Sequence, residues 1–166
     1  MKRKKIAAGF TGPSGSGKTT LILKINEKLI AEGSRVVVVK TDSREHADFG
    51  DQEKDSSRFF ESGADVLVAS PEKTVMFSHG SSSLDDLVRM AGSFDYLLIE
   101  GLRRISLPRI AVFRDRYESG YIEHASALAL GPDVDRPPVP SGCDVIEIDS
   151  TDKIIEWINM NGKRCE

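Results

Sequence analysis

The sequence predicts an α/β protein built as a three-layer sandwich, with a mixed, mostly parallel β-sheet between helices and a β-hairpin extension. Apolar runs of strand length alternate along the chain with segments of helical periodicity, a pattern typical of βαβ units. A glycine-rich loop separates the first apolar run from the first helical segment. Residues 35–40 read Arg-Val-Val-Val-Val-Lys, and such a β-branched run is expected in a parallel strand that is buried on both faces.

The first half of the chain contains a βαβ unit and a hairpin. Its expected elements, in order, are a strand at 6–10, a helix at 18–32, a strand at 35–40, a helix at 53–62, and strands at 66–70 and 74–78. Short apolar runs indicate the strands, and apolar residues at helical spacing indicate the helices. Gly33 and Gly63 follow the two helices as C-caps. Pro71, Glu72 and Lys73 separate the last two strands, which favours a hairpin over a crossover.

The second half adds four strands framed by two helices. In order, the expected elements are a helix at 81–90, strands at 96–99, 109–113, 127–130 and 145–148, and a helix at 151–160. Residues 137–140 read Pro-Pro-Val-Pro, which predicts a rigid surface loop. The sequence shows neither an internal repeat nor a linker, so we expect residues 1–166 to form a single nucleotide-binding domain.

Composition narrows the classes of protein that this chain can belong to. With 39% hydrophobic and 30% charged residues, its 166 residues have the balance of an ordinary globular domain. A net charge of −3 argues against nucleic-acid binding, because no excess of cations is present to replace counterions. No apolar run approaches the roughly 20 residues that span a bilayer, so no membrane partner is expected. Cys143 and Cys165 lack C-x-x-C spacing, and reduced thiols in the cytoplasm are the expected state.

Residues 12–19 read Gly-Pro-Ser-Gly-Ser-Gly-Lys-Thr and match the phosphate-binding pattern G-x-x-x-x-G-K-[ST] of P-loop NTPases. Backbone N–H groups of such a loop surround polyphosphate oxygens together with the N-terminus of the next helix. Lys18, which we expect to face solvent, would reach the β- and γ-phosphates, and the Thr19 hydroxyl would bind Mg²⁺. The expected nucleotide-binding residues are Gly12, Pro13, Ser14, Gly15, Ser16, Gly17, Lys18, Thr19 and Thr20.

Two carboxylates are expected at the carboxyl edge of the sheet, where ligands of open α/β sheets bind. Glu100 directly follows the strand at 96–99, so it is either an acid that holds Mg²⁺ or orients water, or a surface strand end. Asp42 follows the second strand by two residues and is either a second such acid or a turn residue. The candidate catalytic residues are Lys18, Glu100 and Asp42, and the candidate metal ligands are Thr19, Glu100 and Asp42.

Four segments of the chain are informative when they are taken together. They are the loop at 12–20; Lys54-Asp55-Ser56 continuing to Gly63-Ala64 and Val68-Ala69-Ser70; Ile99-Glu100-Gly101 with Arg103; and Pro108-Arg109-Ile110 running into Val112-Phe113-Arg114. In these segments the chain resembles the MobB family, molybdopterin-guanine dinucleotide biosynthesis protein B. The chain departs from the family pattern at residues 40–46, which read Lys-Thr-Asp-Ser-Arg-Glu-His in place of a Lys-His-x-His-His segment. Leu102 and Arg103 likewise replace an aromatic residue and a lysine.

The resemblance implies a dimeric protein that binds GTP with Mg²⁺ and hydrolyses GTP weakly. Such a protein assists a MobA-type guanylyltransferase in attaching GMP to Mo-molybdopterin, and direct contact with Mo-molybdopterin stays open. The apolar residues Val75, Met76 and Phe77 of the expected hairpin add to the expectation of a homodimer, because a free two-stranded hairpin rarely exposes so much apolar surface. Asp133 follows the strand at 127–130, where GTPases place an acid against guanine, and is the candidate for base selection.

Two other classes of protein have the same phosphate-binding loop. A small-molecule P-loop kinase would close an arginine-rich lid over the transferred phosphoryl group, and no such segment is apparent. The arginines that remain available for that role are Arg103, Arg104, Arg109, Arg114 and Arg116. A regulatory GTPase for insertion of another metal would need Cys or His ligands. His46, His79 and His124 have no ligand spacing, although His46 lies in a polar loop near the expected site.

Overall fold

The computed structural model describes residues 5–41, 54–79, 83–135 and 137–166. Its strands are β1 (Ile6–Thr11), β2 (Val36–Lys40), β3 (Val66–Ala69), β4 (Thr74–Phe77), β5 (Tyr96–Glu100), β6 (Arg109–Phe113), β7 (Ala127–Leu130), β8 (Asp144–Glu147) and β9 (Lys163–Arg164). Its α-helices are α1 (Lys18–Ala31), α2 (Lys54–Glu61), α3 (Leu84–Ala91) and α4 (Thr151–Asn161), and a short 3-10 helix spans Ser119–Tyr121. The chain divides into two compact units, Met1–Thr41 with Leu84–Glu166, and Asp42–Ser83.

The first unit is built on a seven-stranded sheet with the strand order β2-β5-β1-β6-β7-β8, and β9 pairs with β1. All neighbours in that order run parallel, whereas β9 is antiparallel to β1. Because β5 pairs with one edge of β1 along residues 6–10, β6 and β9 share the other edge, at Gly9–Thr11 and at Ile6–Ala7. The sheet is therefore mixed and mostly parallel, as predicted, although the antiparallel strand β9 was not foreseen.

Helices and loops cover the two faces of this sheet. On one face, alternate residues of the strands pack against α1 and α4 through Ile25, Leu29, Ile154 and Ile158. On the other face, α3 and the segments around Ile105 and Ile122 cover the remaining positions. Every residue of β1 and β6 is buried. The predicted α/β sandwich of three layers is confirmed, and its central strands end at one edge because they are parallel.

The second strand differs from its prediction. Among the described residues β2 pairs with β5 alone, so it lies at the edge of the sheet. Val38 is 45% exposed, and its neighbours in β2 are partly or largely exposed as well. The expected burial on both faces is wrong because a β-branched run reports strand propensity, and an edge strand satisfies that propensity as well as a central one.

Helix α1 ends as predicted. Gly33 has a φ of +81°, and its N–H donates to Ile30 while the N–H of Ser34 donates to Leu29 over 2.9 Å. This pair of bonds closes the last turn, and a left-handed residue is needed to form it. No described helix combines the length and the apolar character needed to cross a bilayer.

The second unit contains α2 and the hairpin of β3 and β4, which forms a two-stranded antiparallel sheet of its own. His79 follows β4, stacks on Phe60 of α2 with ring centroids 3.7 Å apart, and lies 2.8 Å from the Phe60 carbonyl oxygen through Nε2. The His79 backbone N–H donates to Asp65 over 2.8 Å, and this bond lowers the pKa of Asp65. These contacts tie the end of the hairpin to the end of α2.

Candidate nucleotide-binding site

The glycine-rich loop connects the end of β1 to the start of α1. Gly12 has a φ of +139°, and a Cβ placed on it would lie 2.5 Å from the Val112 carbonyl oxygen of β6. Only glycine fits between the two strands in this conformation. Gly17 has a φ of +92° and is the N-cap of α1. The first-turn N–H groups of α1 have no acceptor within the helix, so they are free for anionic oxygens.

Lys18 lies against its own loop. Its ammonium donates to the carbonyl oxygens of Gly12, over 2.9 Å, and of Pro13, over 2.6 Å. Burial lowers the pKa of Lys18, and the nearby Glu100 carboxylate partly opposes that effect. The expectation that Lys18 faces solvent is wrong, because these carbonyls draw the side chain to a half-buried position. The ammonium is thus held beside the first residues of the loop.

Glu100 meets Thr19 at the carboxyl edge of the sheet. The Thr19 hydroxyl donates to Glu100 Oε2 over 3.4 Å, although the two residues are far apart in the sequence. The Glu100 carbonyl oxygen accepts hydrogen bonds from the backbone N–H and the hydroxyl of Thr41, which fixes the end of β5 beside the end of β2. A hydroxyl and a carboxylate at this separation offer the hard oxygen ligands that Mg²⁺ prefers.

A buried arginine holds the loop that follows Glu100. Arg109 is 2% exposed, and its guanidinium donates to the carbonyl oxygens of Gly101, Leu102 and Ile105 over 2.6 to 2.7 Å. Burial lowers the pKa of Arg109. Leu102 has a φ of +46°, an unfavourable conformation for a side chain larger than glycine. Arg109 therefore stabilises a strained turn directly after Glu100, a role that the sequence did not reveal.

A cavity of about 740 Å³ opens beyond the carboxyl ends of β7 and β8. Its wall is formed by Leu130, Gly131, Pro132, Val134, Val139, Val145, Ile146, Glu147, Ile148, Asp149 and Lys153. The Asp149 carboxylate accepts a hydrogen bond from Lys24 of α1 over 3.0 Å, and this bond lowers the pKa of Asp149. The cavity is large enough for a nucleoside, and it combines an apolar lining with a few charged groups.

A family model described as MobB, Molybdopterin guanine dinucleotide synthesis protein B, matches residues 7–130 of this sequence. The chain belongs to the MobB family. This match confirms the resemblance that the four segments indicated. The matched residues include the glycine-rich loop, Glu100 and Arg109.

Two curated relatives are each described as a molybdopterin-guanine dinucleotide biosynthesis adapter protein. The one from Haemophilus influenzae is 36% identical over 111 residues, which are 64% of this chain and 62% of that protein. The one from Escherichia coli is 29% identical over 171 residues, and the match covers 92% of this chain and 94% of that protein. The chain is thus matched over about three-fifths of the first relative and nearly all of the second.

Solved MobB structures have the same fold. A crystal structure of molybdopterin-guanine biosynthesis protein B is 29% identical with a TM-score of 0.66, and the match covers 92% of this chain and 97% of that one. The structure of Bacillus subtilis MobB is 19% identical with a TM-score of 0.65 over 90% of this chain and 95% of that one. At 19% identity, the match to the Bacillus subtilis protein shows a shared fold alone.

The structure brings together some of the predicted site residues of this MobB-family chain, but not all of them. Lys18, Thr19 and Glu100 come together, whereas Asp42 and His46 lie outside the described residues. Asp133 is exposed, and its neighbours Pro132 and Val134 line the cavity. Within the described ranges, no group of three or more His, Cys, Asp or Glu residues is placed to hold a metal ion.

Proposed function

We propose that this MobB-family protein binds GTP with Mg²⁺, hydrolyses it slowly, and assists a MobA-type guanylyltransferase in attaching GMP to Mo-molybdopterin in the cytoplasm. The observation that carries the nucleotide part is the cluster of Lys18, Thr19 and Glu100 at the glycine-rich loop. Membership of the MobB family supports the pathway, and the names of the relatives support an adapter role.

Different groups of the chain would bind different parts of the nucleotide. The loop at 12–20 and the first turn of α1 would bind the β- and γ-phosphates through backbone N–H groups, and Lys18 would add a charge-assisted contact. Thr19 and Glu100 would hold Mg²⁺, with Asp42 as a further proposed ligand. Bound Mg²⁺ neutralises negative charge on the phosphates. Glu100 would also orient water for hydrolysis.

The cavity beyond β7 and β8 would receive the guanosine half. Asp133 would accept hydrogen bonds from guanine N1–H and N2–H₂, and adenine has neither donor in the same place. A carboxylate left unpaired against adenine would favour GTP over ATP by about tenfold or more. Lys153, Asp149 and Glu147 provide the charged part of the cavity wall for the ribose hydroxyls.

The proposal is tested by calorimetric titration of the protein with GTP, GDP and ATP, with Mg²⁺ and with a chelator. We expect GTP to bind at least about tenfold more tightly than ATP, and chelation to weaken GTP binding more than GDP binding. Light scattering after gel filtration with a MobA-type guanylyltransferase should then show a complex. Tight ATP binding with phosphoryl transfer to a small hydroxylated acceptor would make the protein a kinase. GTP selectivity without a complex would favour a regulatory GTPase for another metal.

We also propose a homodimer that uses the hairpin. Leu67 of β3 and Met76 of β4 pair across the hairpin and are 66% and 43% exposed. A second copy covering this face would remove apolar surface from water. Light scattering at micromolar concentration should give the mass of a dimer, and Leu67→Lys should weaken the dimer by about tenfold or more. Met160→Lys, on an exposed residue of α4, is the matched control. A monomeric wild-type protein would contradict the proposal.

A further inference from the structure

Arg114 lies where the glycine-rich loop meets the cavity. It directly follows β6, and its guanidinium lies beside Gly17, the N-cap residue of α1. A Cβ placed on Gly17 would lie 3.0 Å from Arg114 Nε and 3.6 Å from Ile148 Cδ1. Ile148 belongs to the cavity wall. One cationic group thus borders both the last glycine of the loop and the mouth of the cavity.

The backbone fixes this position of Arg114. A Cβ placed on Gly131, in the cavity wall, would lie 2.0 Å from the Arg114 carbonyl oxygen, so glycine is required for the two segments to approach so closely. Parallel pairing of β6 with β7 brings these residues to the same edge of the sheet. The guanidinium therefore projects from a rigid strand end rather than from a long loop.

The described residues neutralise the charge of Arg114 only loosely. Among the described residues its ion-pair partner is Asp149, with Nη2 3.8 Å from Oδ1. Asp149 is shared with Lys24, whose ammonium lies closer, at 3.0 Å. A guanidinium has five N–H donors in a planar fork. In the part of the chain that the structure describes, most of these donors have no partner, so they can bind a ligand that carries anionic oxygens.

We propose that Arg114 binds the α-phosphate of the nucleotide; the inference rests on the proposed function. The Lys18 ammonium contacts Gly12 and Pro13 at the start of the loop, whereas Arg114 lies at Gly17, its last glycine. If the β- and γ-phosphates bind at Lys18 and the nucleoside binds in the cavity, the α-phosphate connects them. It is then the anionic group that lies beside Arg114. The guanidinium fork matches two phosphate oxygens, which an ammonium cannot do. Asp149 would keep the fork turned toward the cavity mouth.

The test compares three nucleotides that share the α-phosphate. GTP and GDP are titrated by calorimetry into the wild-type protein and into Arg114→Ala, and GMP is measured by displacement of a fluorescent GDP analogue. We expect Arg114→Ala to weaken GTP, GDP and GMP by a similar factor, about ten- to a hundredfold. Lys18→Ala, in contrast, should weaken GTP and GDP and leave GMP nearly unchanged. Arg116→Ala, on an exposed arginine two residues away, should change none of the three affinities.

Arg114→Gln serves if the alanine variant does not fold, since it keeps the length of the side chain and removes the charge. Arg114→Lys should recover only part of the affinity. A loss confined to GTP and GDP, or a loss no larger than that of Arg116→Ala, would overturn the assignment. If the wild-type protein prefers ATP, the guanine proposal fails, and the same comparison with ATP, ADP and AMP decides the role of Arg114. A wild-type protein that binds neither nucleotide overturns both proposals.

Discussion

The two ends of the candidate site are built in different ways. The phosphate end is one continuous segment, residues 12–20, completed by Glu100 from a neighbouring strand. The cavity end is assembled from two strand ends, their following loops and Lys153 of α4. Phosphate is recognised largely by backbone N–H groups, whose positions follow from local geometry. A base is recognised by side chains and shape at positions that are far apart in the sequence. The first end can therefore be recognised from a short pattern, whereas the second cannot.

The largest expected effect is a loss of GTP affinity when Lys18, at the phosphate end, is replaced. Lys18→Ala removes the charge-assisted contacts to the β- and γ-phosphates, each worth about 1.5–3 kcal/mol, and should weaken GTP binding by at least about a hundredfold. The fold should persist, because the Lys18 side chain is only half-buried and bonds to carbonyls of its own loop. Calorimetry with GTP measures the effect. Lys28→Ala is the control, because Lys28 lies on the same helix as Lys18 and its ammonium pairs with Asp152 of α4. Unchanged GTP affinity in folded Lys18→Ala would refute the assignment.

The next effect concerns catalysis rather than binding. Glu100→Gln keeps the shape of the side chain and removes its charge beside Thr19, so GTP should still bind. Hydrolysis should fall by about ten- to a thousandfold and depend less on Mg²⁺ concentration. Single-turnover measurement is needed because the basal rate is expected to be slow. If the rate stays at the wild-type level, Glu100 is only the end of a strand.

The contrast between the two ends also explains how far the sequence could be interpreted. The strand and helix positions around the loop were predictable because the apolar runs of β1 and β5 are completely or almost completely buried. The edge position of β2 was not predictable, since a run of valines can form an edge strand as well as a central strand. The contact of Arg109 with three carbonyl oxygens is equally hidden, because it depends on the path of the turn after Glu100.

Arg109 provides a third, smaller effect at the phosphate end. Arg109→Met leaves the carbonyl oxygens of Gly101, Leu102 and Ile105 without their donor, at a cost of about 3 kcal/mol in the free energy of unfolding. The turn after Glu100 then relaxes from its positive φ at Leu102, and hydrolysis should drop by about tenfold while GTP affinity changes little. Urea unfolding and single-turnover kinetics measure the two effects.

Arg103→Met is the matched control for Arg109→Met, because Arg103 is exposed and its guanidinium lies over the ring of Tyr121, 5.0 Å from its centroid. It should leave both the free energy of unfolding and the rate close to the wild-type values. A parallel loss of GTP affinity and rate in Arg109→Met would mean that this arginine supports the fold of the whole site rather than the position of Glu100.

The smallest expected effect lies at the cavity end and concerns base selection. Three carboxylates lie at the cavity: Asp133 is exposed beside its wall, and Glu147 and Asp149 form part of it. Asp149 is already paired with Lys24 and Arg114, so Asp133 and Glu147 compete for this role. The Glu147 carboxylate already accepts a hydrogen bond from the Ser150 hydroxyl over 3.1 Å, at the start of α4. Asp133 has no such local donor among the described residues, so it is the better acceptor for guanine N1–H and N2–H₂.

Asp133→Asn should therefore lower the preference for GTP over ATP by about tenfold, because an amide presents both a donor and an acceptor to the base. The loss should appear as weaker GTP binding and not as tighter ATP binding, since adenine gains little from the amide. Glu147→Gln should leave the preference unchanged within about twofold, because its partner Ser150 can reorient its hydroxyl. Paired calorimetric titrations with GTP and ATP measure the ratio for each variant. The reverse result would assign base selection to Glu147, and the loop after β7 would then shape the cavity without choosing the base.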